Sequence, residues 1–183
     1  LKNRLAIQAS FNQDSIGGMV ALVKKVVLIT CLFEAIGAIL LTVIFLFNNS
    51  MTFWEAAWQG IFHSVSAFCN AGFDIIGTEG LIPFPSNLPV NLVIMALIIS
   101  GGIGFTVLDE IGSLIKNPKS RSMRIRLRHL SLHSKIAFSL SALLIVGGLF
   151  MFIILEWSNP LTLGNLPVPE KILAASFQSV TLR

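Results

Sequence analysis

The chain has 183 residues, of which 54% are hydrophobic and 12% charged, and its mean hydropathy is +0.81. A soluble domain carries about 25% charged residues, so this composition excludes an ordinary soluble protein and predicts a membrane protein.

The net charge is +4, and eleven of the thirteen basic residues lie within residues 1–25 and 109–135, whereas residues 48–91 contain none. Because basic residues accumulate on the cytoplasmic side of membrane proteins, we expect those two stretches to be cytoplasmic and residues 48–90 to be extracytoplasmic. Basic residues beside membrane spans are common, so nucleic acid is not an expected partner.

The first part of the chain predicts one membrane span. Residues 1–25 mix apolar and polar side chains, which is typical of a cytoplasmic or interfacial segment. The apolar run from Val26 to Phe47 is 22 residues long. As a helix it measures about 33 Å, which is enough to cross the hydrocarbon core. The chain begins with Leu1 and shows no signal peptide, so we expect an internal piece of a longer protein.

The most informative stretch runs from Phe62 to Phe73, with the sequence FHSVSAFCNAGF. It belongs to a helix that Thr52 is expected to cap, and it is too short and too polar for another crossing. We interpret it as a half-helix that enters the membrane and stops at Gly72, where the backbone turns and presents its carbonyls. Non-helical backbone is tolerated in a membrane only where it is buried in protein or lines a water-filled path, and rings of carbonyls replace the hydration shell of cations in channels. The stretch therefore predicts ion permeation rather than catalysis.

The rest of the chain predicts two more spans and a second short helix. Residues 74–89 are rich in glycine and proline and indicate an extracytoplasmic loop. Val90 to Leu108 is the second predicted span, residues 109–135 form a cytoplasmic basic linker, and Ile136 to Trp157 is the third predicted span. After another loop, we expect a last helix from Glu170 to the end of the chain.

The two short helices form part of an internal repeat. Phe62-His63-Ser64-Val65-Ser66 aligns with Phe177-Gln178-Ser179-Val180-Thr181, which lies 115 positions later. Each run follows a long span and a loop. Residues 26–108 therefore predict a complete span–pore helix–span unit, and residues 136–183 predict the span and pore helix of an incomplete second unit. A complete unit crosses the membrane twice, so both units should have the same orientation, as in pores built from parallel repeats.

Several separate motifs along the chain follow one family pattern: FHSVSAFCNAGF, the run Phe177–Arg183, Gly101–Phe105 with Asp109-Glu110, and Leu130–Lys135. In them the chain resembles the Trk/Ktr/HKT superfamily of potassium transporters, and most of all the KtrB-type membrane subunit of bacterial Ktr systems. The resemblance implies an all-α membrane protein with repeated span–re-entrant pore helix–span units that are pseudo-four-fold at full length. This chain would then be the second repeat and the start of the third, and it would end before the next filter strand.

The same resemblance implies a function and partners. We expect channel-like uptake of K⁺ across the plasma membrane through a filter that contains Gly72, with Na⁺ as an activating ion and no cofactor. Members of the family form homodimers and dock a cytoplasmic ring of KtrA-type nucleotide-binding regulatory subunits. The resemblance therefore implies three partners: a second copy of the protein, the KtrA-type ring and membrane lipid. Asp109, Glu110 and the basic linker would offer the cytoplasmic contact surface, although the linker's charge is equally explained by membrane orientation alone.

Seven residues are candidates for functional roles. The expected ion-binding filter residues are Asn70, Ala71, Gly72 and Phe73. Asp74 and Glu79 follow the filter and would concentrate cations at the pore mouth, or else would be two solvated loop acids. Glu34 lies near the middle of the first span, where a carboxylate is expensive, so we expect it to hydrogen-bond within the protein rather than to carry ions.

Three alternatives remain from the sequence alone. A broken-helix secondary transporter of another class would show inverted repeats. A non-transporting membrane scaffold subunit would have no need of a glycine after a pore helix. An intramembrane enzyme would need catalytic polar groups facing one another inside the spans, but the chain offers no nucleophile–base pair, phosphate loop or metal-ligand cluster, and we expect no enzymatic activity.

Overall fold

The computed structural model describes residues 16–48, 51–76, 87–116 and 130–182, and within them every regular element is an α-helix. The helices are α1 (Ile16–Asn48), α2 (Phe53–Phe68), α3 (Leu88–Ile103), α4 (Phe105–Lys116), α5 (Leu132–Glu156) and α6 (Val168–Thr181). The prediction of an all-α protein is confirmed. Residues 1–15 and most of the basic linker lie outside the described part of the chain.

Helix α1 is longer than the predicted first span. It begins at Ile16 rather than Val26 and continues through Gly17-Gly18 and Lys24-Lys25 to Asn48. A glycine in a helix costs about 1 kcal/mol relative to alanine. This cost is too small to end a helix whose following turns are strongly apolar. The segment that is long and apolar enough to cross a membrane is Val20–Phe47, so the first turn of α1 precedes the crossing.

The second predicted span is not one straight helix. Helix α3 ends at Ile103, and α4 leaves it at an angle of 102°. The break lies at Gly104, whose φ of 98° is a left-handed conformation that only glycine adopts at low cost. Helices α1 and α5 each qualify as spans by length and composition, and α3 with α4 provides a third only if the bent pair is counted as one.

The core lies where α1, α2, α3 and the C-terminal half of α6 meet. Its members are apolar residues from all four helices, among them Leu41, Phe45, Ala56, Phe68, Ile98 and Val180. Most of α5 and the outer face of α1 instead expose large apolar side chains, such as Ile154 and Leu28. Such surfaces are unfavourable in water but suit the hydrocarbon of a membrane.

Candidate functional site

Helix α2, the predicted pore helix, begins at a capping box. The Thr52 N–H donates to Glu55 Oε2 at 3.0 Å, and the Glu55 N–H donates to Thr52 Oγ1 at 3.4 Å. These reciprocal bonds satisfy two donors that the first turn of a helix leaves free. Hydrogen bonds from the Thr52 hydroxyl and backbone also hold the pKa of Glu55 below its ordinary value. The sequence-based assignment of Thr52 as the cap is confirmed.

Small residues bring α2 into close contact with α1. A Cβ atom built on Gly60 would overlap Thr42 and come within 2.8 Å of the Ala38 carbonyl oxygen. One turn later, Ser64 is fully buried, and its Oγ donates to the Glu34 carbonyl oxygen at 2.7 Å. Inside a membrane the hydrophobic effect does not drive helices together. Small residues and interhelical hydrogen bonds of this kind stabilise the contact instead.

Helix α2 ends two residues earlier than predicted. Cys69 caps it, and Asn70, with a φ of 49°, is the left-handed residue at its end. The Asn70 N–H donates to the Ala67 carbonyl oxygen at 3.0 Å, and the Ala71 N–H donates to the Ser66 carbonyl oxygen at 2.8 Å. This is the Schellman pattern, and asparagine replaces the usual glycine because its short polar side chain tolerates the left-handed region.

Gly72 has its own role beyond the helix end. Its φ is 72°, and nothing lies within 4 Å of the position that a Cβ atom would occupy. The requirement for glycine is therefore conformational rather than steric, because a left-handed backbone costs other residues about 1–2 kcal/mol. Asn70 and Gly72, on either side of Ala71, both have a positive φ. The segment that follows α2 is therefore not helical.

The carbonyls of this segment are free to bind a ligand. The Phe73 backbone is fixed, because its N–H donates to Ser66 Oγ at 3.1 Å and its carbonyl oxygen accepts from the same hydroxyl at 2.7 Å. Within the described chain, by contrast, no donor reaches the carbonyl oxygens of residues 69–72, and these residues are exposed. The C-terminal end of α2, which carries a partial negative charge, lies directly before them.

Helix α3 supports the end of the pore helix through Gly101. A Cβ atom on Gly101 would overlap the Phe68 carbonyl oxygen, so a larger residue would push α3 away from the last turn of α2. The aromatic ring of Phe68 stacks on Phe33 of α1 at a centroid distance of 5.9 Å. The start of the candidate filter is thus held from both neighbouring helices.

His63 and Glu34 occupy positions beside this segment. His63 is 2% exposed, and its Nδ1 lies 2.7 Å from the Gln59 carbonyl oxygen, so this nitrogen is hydrogen-bonded within the packed helix. Glu34 is half-buried, and within the described residues it is its backbone carbonyl, not its carboxylate, that receives a hydrogen bond.

The two acids predicted at the pore mouth have different outcomes. Asp74 is exposed directly after Phe73, beyond the bonds that fix the Phe73 backbone, and its role stays a prediction. Glu79 lies outside the described residues. Together with residues 70–73, Asp74 forms one continuous exposed segment.

The acidic pair Asp109-Glu110 is engaged by other parts of this chain. Asp109 Oδ1 lies 2.5 Å from Lys25 Nζ of α1. Glu110 accepts from the Ser131 N–H at 2.6 Å, from the Ser131 hydroxyl at 2.9 Å, and from the Ser134 hydroxyl. Helix α4 is therefore tied to the start of both long helices, and Glu110 helps to cap α5.

Sequence reasoning missed several of these roles. Ser66 bonds to Phe73 of the candidate filter, and Gly101 packs against the Phe68 carbonyl at the end of α2; neither contact was predicted from the sequence. Lys171 was not singled out, yet it is 8% exposed and donates to the Trp157 carbonyl oxygen at 3.0 Å, at the end of α5. A lysine that follows the third predicted span, outside the two basic stretches, was the available signal.

Comparisons with known proteins place this geometry in a family. The TrkH family profile, described as "Cation transport protein", matches residues 2–183. The Ktr system potassium uptake protein B of Bacillus subtilis is 37% identical over 184 residues, which cover 100% of this chain and 38% of that protein. The potassium/sodium uptake protein NtpJ of Enterococcus hirae is 35% identical over 180 residues, which cover 98% of this chain and 37% of that protein. A Ktr system potassium uptake protein B of Vibrio alginolyticus is 32% identical over 188 residues, which cover 100% of this chain and 38% of that protein.

The chain thus spans less than two fifths of the length of these relatives. The family resemblance drawn from the motifs is confirmed, as is the assignment to a multi-pass membrane protein. A match over nearly the whole chain, with long apolar helices and a short helix that ends in unpaired carbonyls, shows that the protein belongs to the TrkH family of cation transport proteins.

Proposed function

We propose that the protein mediates potassium uptake across the cell membrane, as part of the ion-translocating subunit of a Ktr-type system. The observation that carries the proposal is the segment of residues 69–72, whose exposed carbonyls are without donors in the described chain. Carbonyl oxygens at the negative end of a helix are suited to replace the hydration shell of a monovalent cation. The names of the relatives, which are potassium or potassium/sodium uptake proteins, support K⁺ as the ion.

In this mechanism the residues 70–73 contribute one wall of the filter. The left-handed conformations of Asn70 and Gly72 turn the backbone so that successive carbonyls can face one path, and Ser66 fixes the far end of the segment. The remaining walls come from the other repeats of the full-length protein. The membrane potential drives the cation inward, since moving one charge through 100 mV is worth about 2.3 kcal/mol.

We further propose Na⁺ as an activating ion and two kinds of protein partner. The full-length protein would form a homodimer, and a cytoplasmic ring of nucleotide-binding subunits would dock on the side that carries α4 and the basic linker. The printed name "Ktr system" for the relatives supports a membrane subunit that works with other components. Asp109 and Glu110 are less available for docking than expected, because both are paired within this chain.

The test is Gly72→Ser in the protein at its natural length, expressed in a bacterial strain that lacks its own potassium uptake. We expect a lower ratio of K⁺ to Na⁺ uptake at normal membrane abundance, because serine disfavours the left-handed backbone and displaces the carbonyls. Gly104→Ser is the matched control, because Gly104 also has a positive φ and open space around it but lies at the α3–α4 break. The control should leave the ratio unchanged even if it lowers abundance.

The rival functions predict different results. A scaffold subunit would leave ion flux untouched in Gly72→Ser, and a secondary transporter with its site elsewhere would lose rate without a change in the K⁺ to Na⁺ ratio. Either outcome at normal abundance would remove Gly72 from the filter.

A further inference from the structure

A hydrogen bond joins the end of α2 to α6. The side-chain amide of Asn70 donates from Nδ2 to the Thr181 carbonyl oxygen at a distance of 3.1 Å. The two residues are 111 positions apart in sequence and belong to different repeats. The donor thus lies within the candidate filter of one predicted repeat, and the acceptor lies in α6, the predicted pore helix of the next, at the position aligned with Ser66.

Asn70 combines two properties that substitutions can separate. Its backbone ends α2 in the left-handed conformation, which glycine also adopts easily and aspartate tolerates. Its side chain makes the bond to Thr181, which requires an amide donor that neither glycine nor aspartate has. A purely conformational role would therefore be kept by glycine, whereas a role of the amide would be lost.

The Thr181 carbonyl oxygen, which accepts the bond, lies beside buried residues of α6. Val180, next to Thr181, is 2% exposed and belongs to the same core cluster as Ala67 and Phe68 at the end of α2. Ser179 is anchored on α5 by its bond to the Ile145 carbonyl oxygen at 2.6 Å. The Asn70–Thr181 bond itself is exposed, but the residues beside both of its ends are buried, so it links two packed helices.

We propose that Asn70 is a positioning residue, whose amide sets the spacing between the filter segment of one repeat and the pore helix of the following repeat. This inference rests on the proposed filter function. A filter assembled from separate repeats discriminates between cations only if its walls stay at a fixed separation. The side-chain bond supplies such a fixed separation at the point where the chain has left helical geometry.

The experiment compares Asn70→Gly and Asn70→Asp with the parent protein at its natural length, in the uptake-deficient strain. The measured quantity is the ratio of K⁺ to Na⁺ uptake per molecule in the membrane. We expect both variants to lower the ratio by about three- to tenfold, the range that corresponds to the loss of one hydrogen bond. Asn165→Asp is the matched control, since Asn165 also donates from an amide to a carbonyl, that of Pro160 at 2.9 Å, but does so inside a loop. The control should keep the parent ratio.

The outcomes distinguish the two layers of the proposal. A parent-like ratio in Asn70→Gly or in Asn70→Asp would overturn the positioning role, because it would show that the amide is not needed. Gly72→Ser is measured in the same assay. If Gly72→Ser lowers the ratio while Asn70→Gly keeps it, the positioning role is wrong and the filter assignment stands. If both keep the ratio, the filter assignment itself is wrong.

Discussion

Ser64 and Ser179 make the same contact in the two repeats. Ser64 Oγ donates to the Glu34 carbonyl oxygen at 2.7 Å, and Ser179 Oγ donates to the Ile145 carbonyl oxygen at 2.6 Å. In each case the acceptor lies three residues before a glycine of the long helix, Gly37 or Gly148, against which the serine packs. The pore helices are offset by 115 positions and the long helices by 111, so the second repeat has four more residues between contact points, about one helical turn.

The first prediction concerns this serine–glycine contact. Gly148→Ala places a methyl group on the Ser179 hydroxyl and should lower the free energy of unfolding in detergent by about 1–3 kcal/mol through overpacking. Its neighbour provides the control, because nothing in the described chain lies within 4 Å of a Cβ atom at Gly147. Gly147→Ala should be neutral or stabilising, since alanine favours a helix. Equal stability of the two variants would argue against the contact.

The second prediction concerns Ser66, which bonds to both backbone groups of Phe73. Ser66→Ala removes both bonds and should lower the K⁺ to Na⁺ uptake ratio by about threefold or more. Ser66→Thr keeps the hydroxyl and should stay near the parent ratio, because Thr181 holds the aligned position of the second repeat. Uptake by cells at matched membrane abundance measures the effect. A parent-like ratio in Ser66→Ala would mean that the segment keeps its shape without these bonds.

The third prediction separates two adjacent acids. The ion pair of Asp109 with Lys25 is open to solvent, with side-chain exposures of 33% and 53%, so Asp109→Asn should cost no more than about 0.5 kcal/mol. Glu110 accepts three hydrogen bonds at the start of α5, so Glu110→Gln should cost about 1 kcal/mol or more. Thermal unfolding of the purified protein in detergent checks the order. The reverse order would show that the tie of α4 to α1 matters more than the cap on α5.

The fourth prediction concerns the start of the pore helix and its response to pH. Thr52→Ala removes the cap of α2 and should lower stability by about 1 kcal/mol at neutral pH. The pKa of Glu55 is held below its ordinary value of 4.5, mainly by the Thr52 hydroxyl, so its contribution is complete above that value and is lost as the pH falls through the lowered pKa. The difference between parent and variant, measured by thermal unfolding, should therefore shrink in acid. A constant difference would exclude the Glu55 carboxylate from the cap.

Local signals in the sequence were strong enough to predict several features of the fold. The apolar runs predicted the long helices α1 and α5, and Thr52 predicted the start of α2. The alignment of Ser64 with Ser179 predicted the repeat, which the paired contacts now support. The second predicted span, Val90 to Leu108, is bent at Gly104, and hydropathy gave no sign of the bend because it averages over a window and does not register a single left-handed residue.

The details of the candidate filter could not be read from composition or spacing. Gly72 was expected to end α2, but Asn70 ends it, because glycine is only the commonest of the residues that adopt a left-handed backbone. The bonds of Ser66 to Phe73 and of Asn70 to Thr181 depend on where the chain turns after the helix. No periodic pattern encodes that turn.

The sequence by itself determined that this is a helical membrane protein, because the transfer of apolar side chains out of water acts on each segment independently. It also determined the family, through motifs that lie within single segments. The tertiary structure alone decided which backbone carbonyls stay unpaired, where Gly101 admits the Phe68 carbonyl, and how Asn70 reaches the second repeat. Those features arise from contacts between segments distant in sequence, and their geometry is fixed only when the helices pack together.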